Sequence, residues 1–193
     1  FALILAFCLA LPQAFFGLAG AAYRRTYWMD ATTRAAAGQF VFAGLAFACL
    51  SYAFYVNAFS VLYDAQNSHW ALPRCSRFAA VWGAHEGSLL LWLFVQATWT
   101  IAVAAFSRNM PQVMTSRVLG VLGLISAGFA LFILTTSNPF ERLWPAASDG
   151  RDLNPLLQDP ALAIHPPMLY IGYVGMSVPF AFAVAAMLEG KLD

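Results

Sequence analysis

Five apolar runs, each close to the thickness of a bilayer, constrain this chain more than anything else in it. They cover residues 1–22, 39–62, 89–106, 118–136 and 167–188, and all are rich in Ala, Phe, Leu and Val. A helix needs about 20 such residues to cross the hydrocarbon core. Inside a bilayer the chain must satisfy its own backbone polar groups, which leaves helices and closed barrels as the spanning forms. A barrel would show short segments of alternating polarity, and these runs do not alternate. Of 193 residues, 61% are hydrophobic and 10% charged, well under the roughly 25% charged residues of soluble domains. The expected fold is therefore all-α: a polytopic integral membrane bundle of five transmembrane helices, forming a single domain over residues 1–193 in contact with membrane lipid. Pro12 and Pro179 fall inside two of the runs and are expected as kinks that neighbouring helices tolerate.

A net charge of +1 with no basic stripe excludes nucleic acid as a partner, because nothing is available to neutralise a run of phosphates. Cys8, Cys49 and Cys75 show no metal-binding or redox spacing. The first run is too long, and too poor in preceding basic residues, for a cleaved signal peptide. The sequence opens inside this run at Phe1 and closes on a polar tail at Asp193, so it is expected to be a fragment of a longer protein, truncated at both ends. Orientation follows from the loop arginines and lysines. Arg24, Arg25, Arg34, Arg108, Arg117 and Lys191 fall on one side, and Arg74, Arg77, Arg142 and Arg151 on the other with most of the acids. The first set is expected to be cytoplasmic, which puts His85, Glu86 and the loop leading to His165 on the outer face.

Two stretches carry chemistry. The first, Trp82-Gly-Ala-His-Glu-Gly-Ser-Leu-Leu-Leu-Trp92, sets an ionisable pair at the mouth of an apolar helix. Helical spacing stacks His85, Ser88 and Trp92 on one face and continues to Gln96 and Trp99. Leu89, Leu90, Leu93 and Ala97 point elsewhere, as a lipid-facing or packing surface would. An ionisable pair there is a functional-site hypothesis by default, with Trp82 and Trp92 as its aromatic walls. The competing reading is a solvated pair in the headgroup layer, with the tryptophans as interface anchors.

The second stretch is the loop before the fifth run. Asn154-Pro155 and Asp159-Pro160 have the form of helix starts, an N-cap followed by proline, so short surface helices with inward leucines are expected. They lead to His165-Pro166-Pro167, where the prolines suit the first turn of the fifth helix and would make His165 project from a stiff corner. A neutral imidazole held that way is a good axial ligand for haem iron. Tyr170, Gly172, Tyr173 and Gly175 follow, and the glycines would let a flat group or a second helix approach. The alternative is an interfacial histidine that caps a helix. His69, in the preceding outer loop, is expected to be a plain solvated histidine.

The residues themselves resemble a known family. The 82–92 motif, Thr136-Ser-Asn-Pro-Phe140, Gly150-Arg-Asp-Leu-Asn-Pro-Leu-Leu-Gln-Asp-Pro160 and His165-Pro-Pro-Met-Leu-Tyr-Ile-Gly-Tyr-Val-Gly175 closely resemble the amino-terminal part of the CcmF/NrfE family. These are the membrane haem lyase subunits of cytochrome c-type biogenesis in the bacterial inner membrane. The resemblance implies haem taken from a periplasmic haem chaperone and attached to apocytochrome c, in company with other haem lyase subunits. It implies a resident haem b with His165 as one axial ligand, Tyr170 and Tyr173 in its surroundings, and the partner histidine further along the family's chain. It assigns no role to His85 and Glu86. An alternative from another class is a b-haem or quinone-binding electron-transfer subunit without ligase activity. That reading expects a second histidine at a matching depth in the runs, which the sequence lacks. A transporter would instead place ionisable groups near the bilayer midplane, whereas here they cluster at the run ends.

Overall fold

The structure, a computed structural model, describes residues 1–190 apart from the side chain of Leu156. Lys191, counted above in the loop charges, and Asp193 lie outside the described residues. In chain order the elements are α1 (Ala2–Ala22), α2 (Thr26–Val56), α3 (Leu62–Asn67), α4 (Arg74–Ala80), α5 (His85–Phe106), α6 (Gln112–Thr136), a 3-10 turn (Pro155–Gln158), α7 (Pro160–Gly175) and α8 (Ser177–Glu189). Four single helices and the α7–α8 pair are long and apolar enough to cross a membrane, so the five-span all-helical bundle is what the chain forms.

Helix α1 lies against α2 and α6, α5 fits between α2 and α6, and α7 and α8 pack on α5 and α6. The α1–α6 contact is backbone on backbone: a Cβ at Gly17 would come within 2.6 Å of the Gly120 Cα. Small residues make such approaches the normal route to helix association in lipid. Two buried side chains fasten it, Gln13 Nε2 donating to the Leu119 carbonyl at 2.8 Å and Ser116 Oγ to the Gly17 carbonyl at 3.2 Å. Each is worth about 1 kcal/mol in a membrane. Leu90, Leu93 and Ala97 are fully buried, so the aliphatic face of α5 packs into the bundle and does not meet lipid.

Two spans differ most from their expected limits, while α5 and α6 begin four and six residues earlier than expected. Helix α2 begins at Thr26, so Asp30 and Arg34 are helical residues and only Arg24 and Arg25 belong to the α1–α2 turn. It ends at Val56 because Asn57 takes the left-handed conformation at φ 53°, which asparagine tolerates better than most residues. The fifth span begins at Pro160, capped by Asp159, whose Oδ1 accepts from the amides of Ala161 at 2.8 Å and Leu162 at 3.3 Å. It breaks at Met176 into α7 and α8.

The ends of the spans nearest His85 carry a cap in which the loops after α2 and α6 are zipped together. Leu62 N–H donates to Glu141 O, Leu143 N–H to Ser60 O, and Arg151 N–H to Ala65 O, all within 2.9 Å. His69 Nδ1 lies 3.3 Å from Asp152 Oδ1, so this histidine is a half-buried tie across the cap, where a free loop residue was expected. Leu153 turns inward and is buried.

Candidate functional site

Three tryptophans at the start of α5 and along it, Trp82, Trp92 and Trp99, form a seam with α7. The Trp82 indole N–H donates to the Ala163 carbonyl at 2.8 Å. Trp92 stacks on Tyr170, with centroids 5.8 Å apart and planes 16° apart, and meets Tyr173 edge-on at 6.1 Å and Phe129 of α6 at 4.9 Å. Trp99 donates to the Ile171 carbonyl at 3.0 Å. Just beyond, Ser177 Oγ donates to Gln96 Oε1 at 2.8 Å. The face that helical spacing picked out on α5 is thus the face that receives the fifth span. Trp82 is 8% exposed, and its ring closes the seam at the end nearest His85.

The prolines act differently from their expected role. Pro166 and Pro167 lie inside α7, six and seven residues after Pro160, so they do not open the helix and His165 does not stand at its corner. Each removes a helical amide, and the carbonyls left without their i+4 donors are those of Leu162 and Ala163. The Trp82 indole supplies the missing donor to Ala163. A deliberate fault in α7 is thereby pinned to the mouth of α5, one residue pair from His165. His165 itself is exposed on α7. Along the same helix, Met168 is 65% exposed, Leu169 51% and Tyr173 68%. A Cβ at Gly172 would meet nothing within 4 Å. The outward face of α7 is an imidazole above an apolar, locally flat strip.

His85 is the first residue of α5 and exposed, with Nδ1 3.3 Å from Ser137 Oγ at the end of α6. Glu86, half-buried, lies in the first turn of α5, where a carboxylate complements the helix dipole. Under this turn sits Tyr63 of α3, buried. Its hydroxyl lies 3.2 Å from the Val81 carbonyl and accepts from the Ala84 amide at 3.2 Å. Burial pushes the Tyr63 phenol far above its ordinary range, and the Glu86 carboxylate adds to that, so it stays a neutral bridge. Gly87 is required by the same contact, since a Cβ there would collide with the Val81 carbonyl and come 2.6 Å from the Tyr63 hydroxyl. Sequence reasoning named Trp82, His85, Glu86 and Trp92 but missed Tyr63 and Ser137. Ser137 entered only as part of the 136–140 motif and Tyr63 not at all, since their contacts reach across 18 or more residues of chain.

The structure therefore joins Trp82, Trp92, Tyr170 and Tyr173 in one seam. It sets His85 and Glu86 on the α3–α6 side of the α5 mouth and leaves His165 facing outward from α7. No group of three or more His, Cys, Asp or Glu side chains suited to a metal ion occurs among the described residues.

Comparisons with known proteins fit this layout. The model of the family described as cytochrome C assembly protein matches residues 82–192, beginning at the tryptophan that pins α7. The cytochrome c-type biogenesis protein CcmF of Pseudomonas aeruginosa is 58% identical over 193 residues, which is 100% of this chain and 29% of that protein. The cytochrome c-type biogenesis protein NrfE of Haemophilus influenzae is 48% identical over 147 residues, 76% of this chain and 23% of its own. Among solved structures, a cytochrome c haem lyase CcmF superposes with a TM-score of 0.85 at 29% identity, covering 98% of this chain and 30% of that one. The chain thus spans about 29% of the length of the curated CcmF relatives it matches. With the family model matched over more than half of the sequence and the fold shared across nearly all of it, this chain belongs to the cytochrome c assembly protein family, on its CcmF/NrfE side.

Proposed function

We propose that the chain is the amino-terminal transmembrane part of a haem lyase subunit, which helps attach haem to apocytochrome c on the periplasmic face of the bacterial inner membrane. In this reading His165 is an axial ligand to a resident haem b. The observation that carries it is the outward face of α7. There an exposed imidazole, with no hydrogen-bond partner among the described residues, stands over a strip where Gly172 leaves open space. The donor chemistry fits, because a neutral imidazole is a common axial ligand, and the flat gap at Gly172 suits a planar group. When bound, the haem would supply one-electron chemistry, keeping the iron of incoming haem reduced.

The chain's own residues would hold and aim that group. Trp82 fixes the turn of α7 that bears His165, and the Trp92–Tyr170 stack and Tyr173 keep the helix from rotating. The seam, aromatic along its length, keeps water from the side of α7 that faces α5. His85 and Glu86, at the same end of the bundle, are suited to orienting a charged partner such as haem propionates or the apocytochrome. Other haem lyase subunits and a periplasmic haem chaperone belong to the same reading, supported by the family alone. The outer placement of the cap is supported by the arginine bias of the opposite loops.

The test is His165→Ala in the full-length protein. Loss of one of two axial ligands should remove the low-spin haem spectrum, and added imidazole should partly restore it. Full haem content with an unchanged low-spin spectrum would refute the assignment.

A further inference from the structure

The far end of the bundle from the tryptophan seam carries an arginine that the proposed function does not use. Helix α2 has 31 residues, about 46 Å at 1.5 Å per residue, which is longer than a hydrocarbon core of about 30 Å. Its exposed aromatics mark where it leaves lipid: Tyr27 at one end, with Tyr23 beside it in the turn, and Tyr52 and Tyr55 at the other. Tyr27 and Tyr52 are about 37 Å apart along the axis, the spacing of two interfacial aromatic belts. Arg34 lies about 10 Å inward from Tyr27. It is exposed and makes no hydrogen bond or ion pair with any described residue. Its natural helical partner is Asp30, one turn back, but the Asp30 carboxylate accepts from Gln112 Nε2 of α6 at 2.8 Å.

Beside Arg34 the two helices part. They touch closely at Gly20, where a Cβ would come 2.9 Å from the Trp28 Cβ, and at Gly38, where it would come 2.8 Å from Leu9 Cδ1. Between these contacts lies a groove of about 300 Å³, walled by Leu9, Pro12 and Phe16 of α1 and by Ala31 of α2, with Tyr27 and Arg34 on its rim. Helical side chains lean toward the helix N-terminus, so the Arg34 guanidinium reaches back toward Tyr27 and the interface. An unpaired guanidinium at hydrocarbon depth is costly, and a planar fork of donors is matched by a phosphate. Arg24 and Arg25 add two more positive charges at the adjoining turn, against the single carboxylate of Asp30.

We propose that this groove is a binding site for an anionic phospholipid. One acyl chain lies between α1 and α2, and the headgroup phosphate is held by Arg34 with the Tyr27 hydroxyl. The charge complementarity selects an anionic lipid over a zwitterionic one, and the closure at Gly38 and Leu9 limits how deep the chain enters.

The test uses the full-length protein in mild detergent, with native mass spectrometry at graded additions of phosphatidylglycerol or phosphatidylcholine of the same acyl composition. The wild type should retain phosphatidylglycerol about tenfold more tightly, as expected for a charge-assisted contact. Arg34→Gln should bring the two lipids to within about twofold. Ala31→Trp, which fills the groove and keeps the charge, should lose retention of both. Arg24→Gln combined with Arg25→Gln, which alters the turn and not the groove, should weaken the preference without abolishing it. An undiminished preference in Arg34→Gln, a preference abolished by the turn variant alone, or no lipid retained by the wild type would each overturn the proposal.

Discussion

Asp64 should set a pH dependence on the cap. It lies on α3 with no exposed surface, and neither carboxylate oxygen has a hydrogen-bond partner among the described residues. Burial raises its pKa from 3.8 to about 7, with the nearby Ala58 amide and Arg77 guanidinium drawing it part of the way back. When the cap opens, the group returns to its ordinary value, so between about pH 4 and 7 the closed cap keeps a proton that the open one has lost. Cap stability is therefore full below that window, falls as pH rises through it, and levels off above it. A shift of about three units corresponds to about 4 kcal/mol across the whole window, at 1.36 kcal/mol per unit. Between pH 5 and 8 the linkage amounts to about 3 kcal/mol, or close to a hundredfold in the opening constant.

The reporters are the amides that zip the cap, Leu62, Leu143 and Arg151. Their hydrogen exchange, corrected for intrinsic rates, should show opening that becomes about a hundredfold more favourable from pH 5 to 8. Asp64→Asn cannot ionise and should flatten that dependence in the same amides. A slope that persists unchanged in Asp64→Asn would show that the proton is carried elsewhere, and the argument from burial would fail.

Two further outcomes are expected. With the native cysteines replaced, Gln66→Cys in the cap and Asn109→Cys between α5 and α6 should label from opposite sides of the membrane, the first without permeabilising the inner membrane; reversed labelling would invert the orientation. Trp82→Phe removes the donor to Ala163 and should lower the stability of the α5–α7 contact by about 1–3 kcal/mol, read as a lower thermal midpoint and a broadened low-spin haem signal. Pro167→Ala returns an amide to that carbonyl, so adding it to Trp82→Phe should recover most of the loss.

Much of the fold was legible because lipid simplifies the code: a chain that must satisfy its own backbone and bury apolar side chains shows its spans as runs. The expected limits 1–22 and 118–136 fall close to α1 and α6 for that reason. The first third of α2 was hidden because its inward residues, Met29, Thr32, Ala35, Ala36 and Gln39, are mostly small or polar. They pack α1 by close approach and not by greasiness, and Arg34 among them mimics a loop. The cap was hidden for another reason. Its zipper joins residues about 80 apart, and alternation within either loop carries no trace of the other.

The site shows where local rules stop. Reading Pro166-Pro167 as a helix start is sound when only neighbours count, because proline costs least where amides are free anyway. Asp159-Pro160 satisfies the same rule six residues earlier, and Asp159 has the capping side chain that proves decisive. A proline pair inside α7 then requires an outside donor, and that donor, Trp82, lies 81 residues back. The glycine and histidine content of both motifs, and the tryptophans of the first, were visible in the sequence. That one motif repairs the helix of the other was not, because a hydrogen bond between an indole and a carbonyl orphaned by proline leaves no period and no spacing to read. The same bond explains why a tryptophan opens the α5 motif. Phenylalanine could fill the space beside Ala163, but only an indole both fills it and donates, so the mouth of α5 and the turn bearing His165 move as one piece.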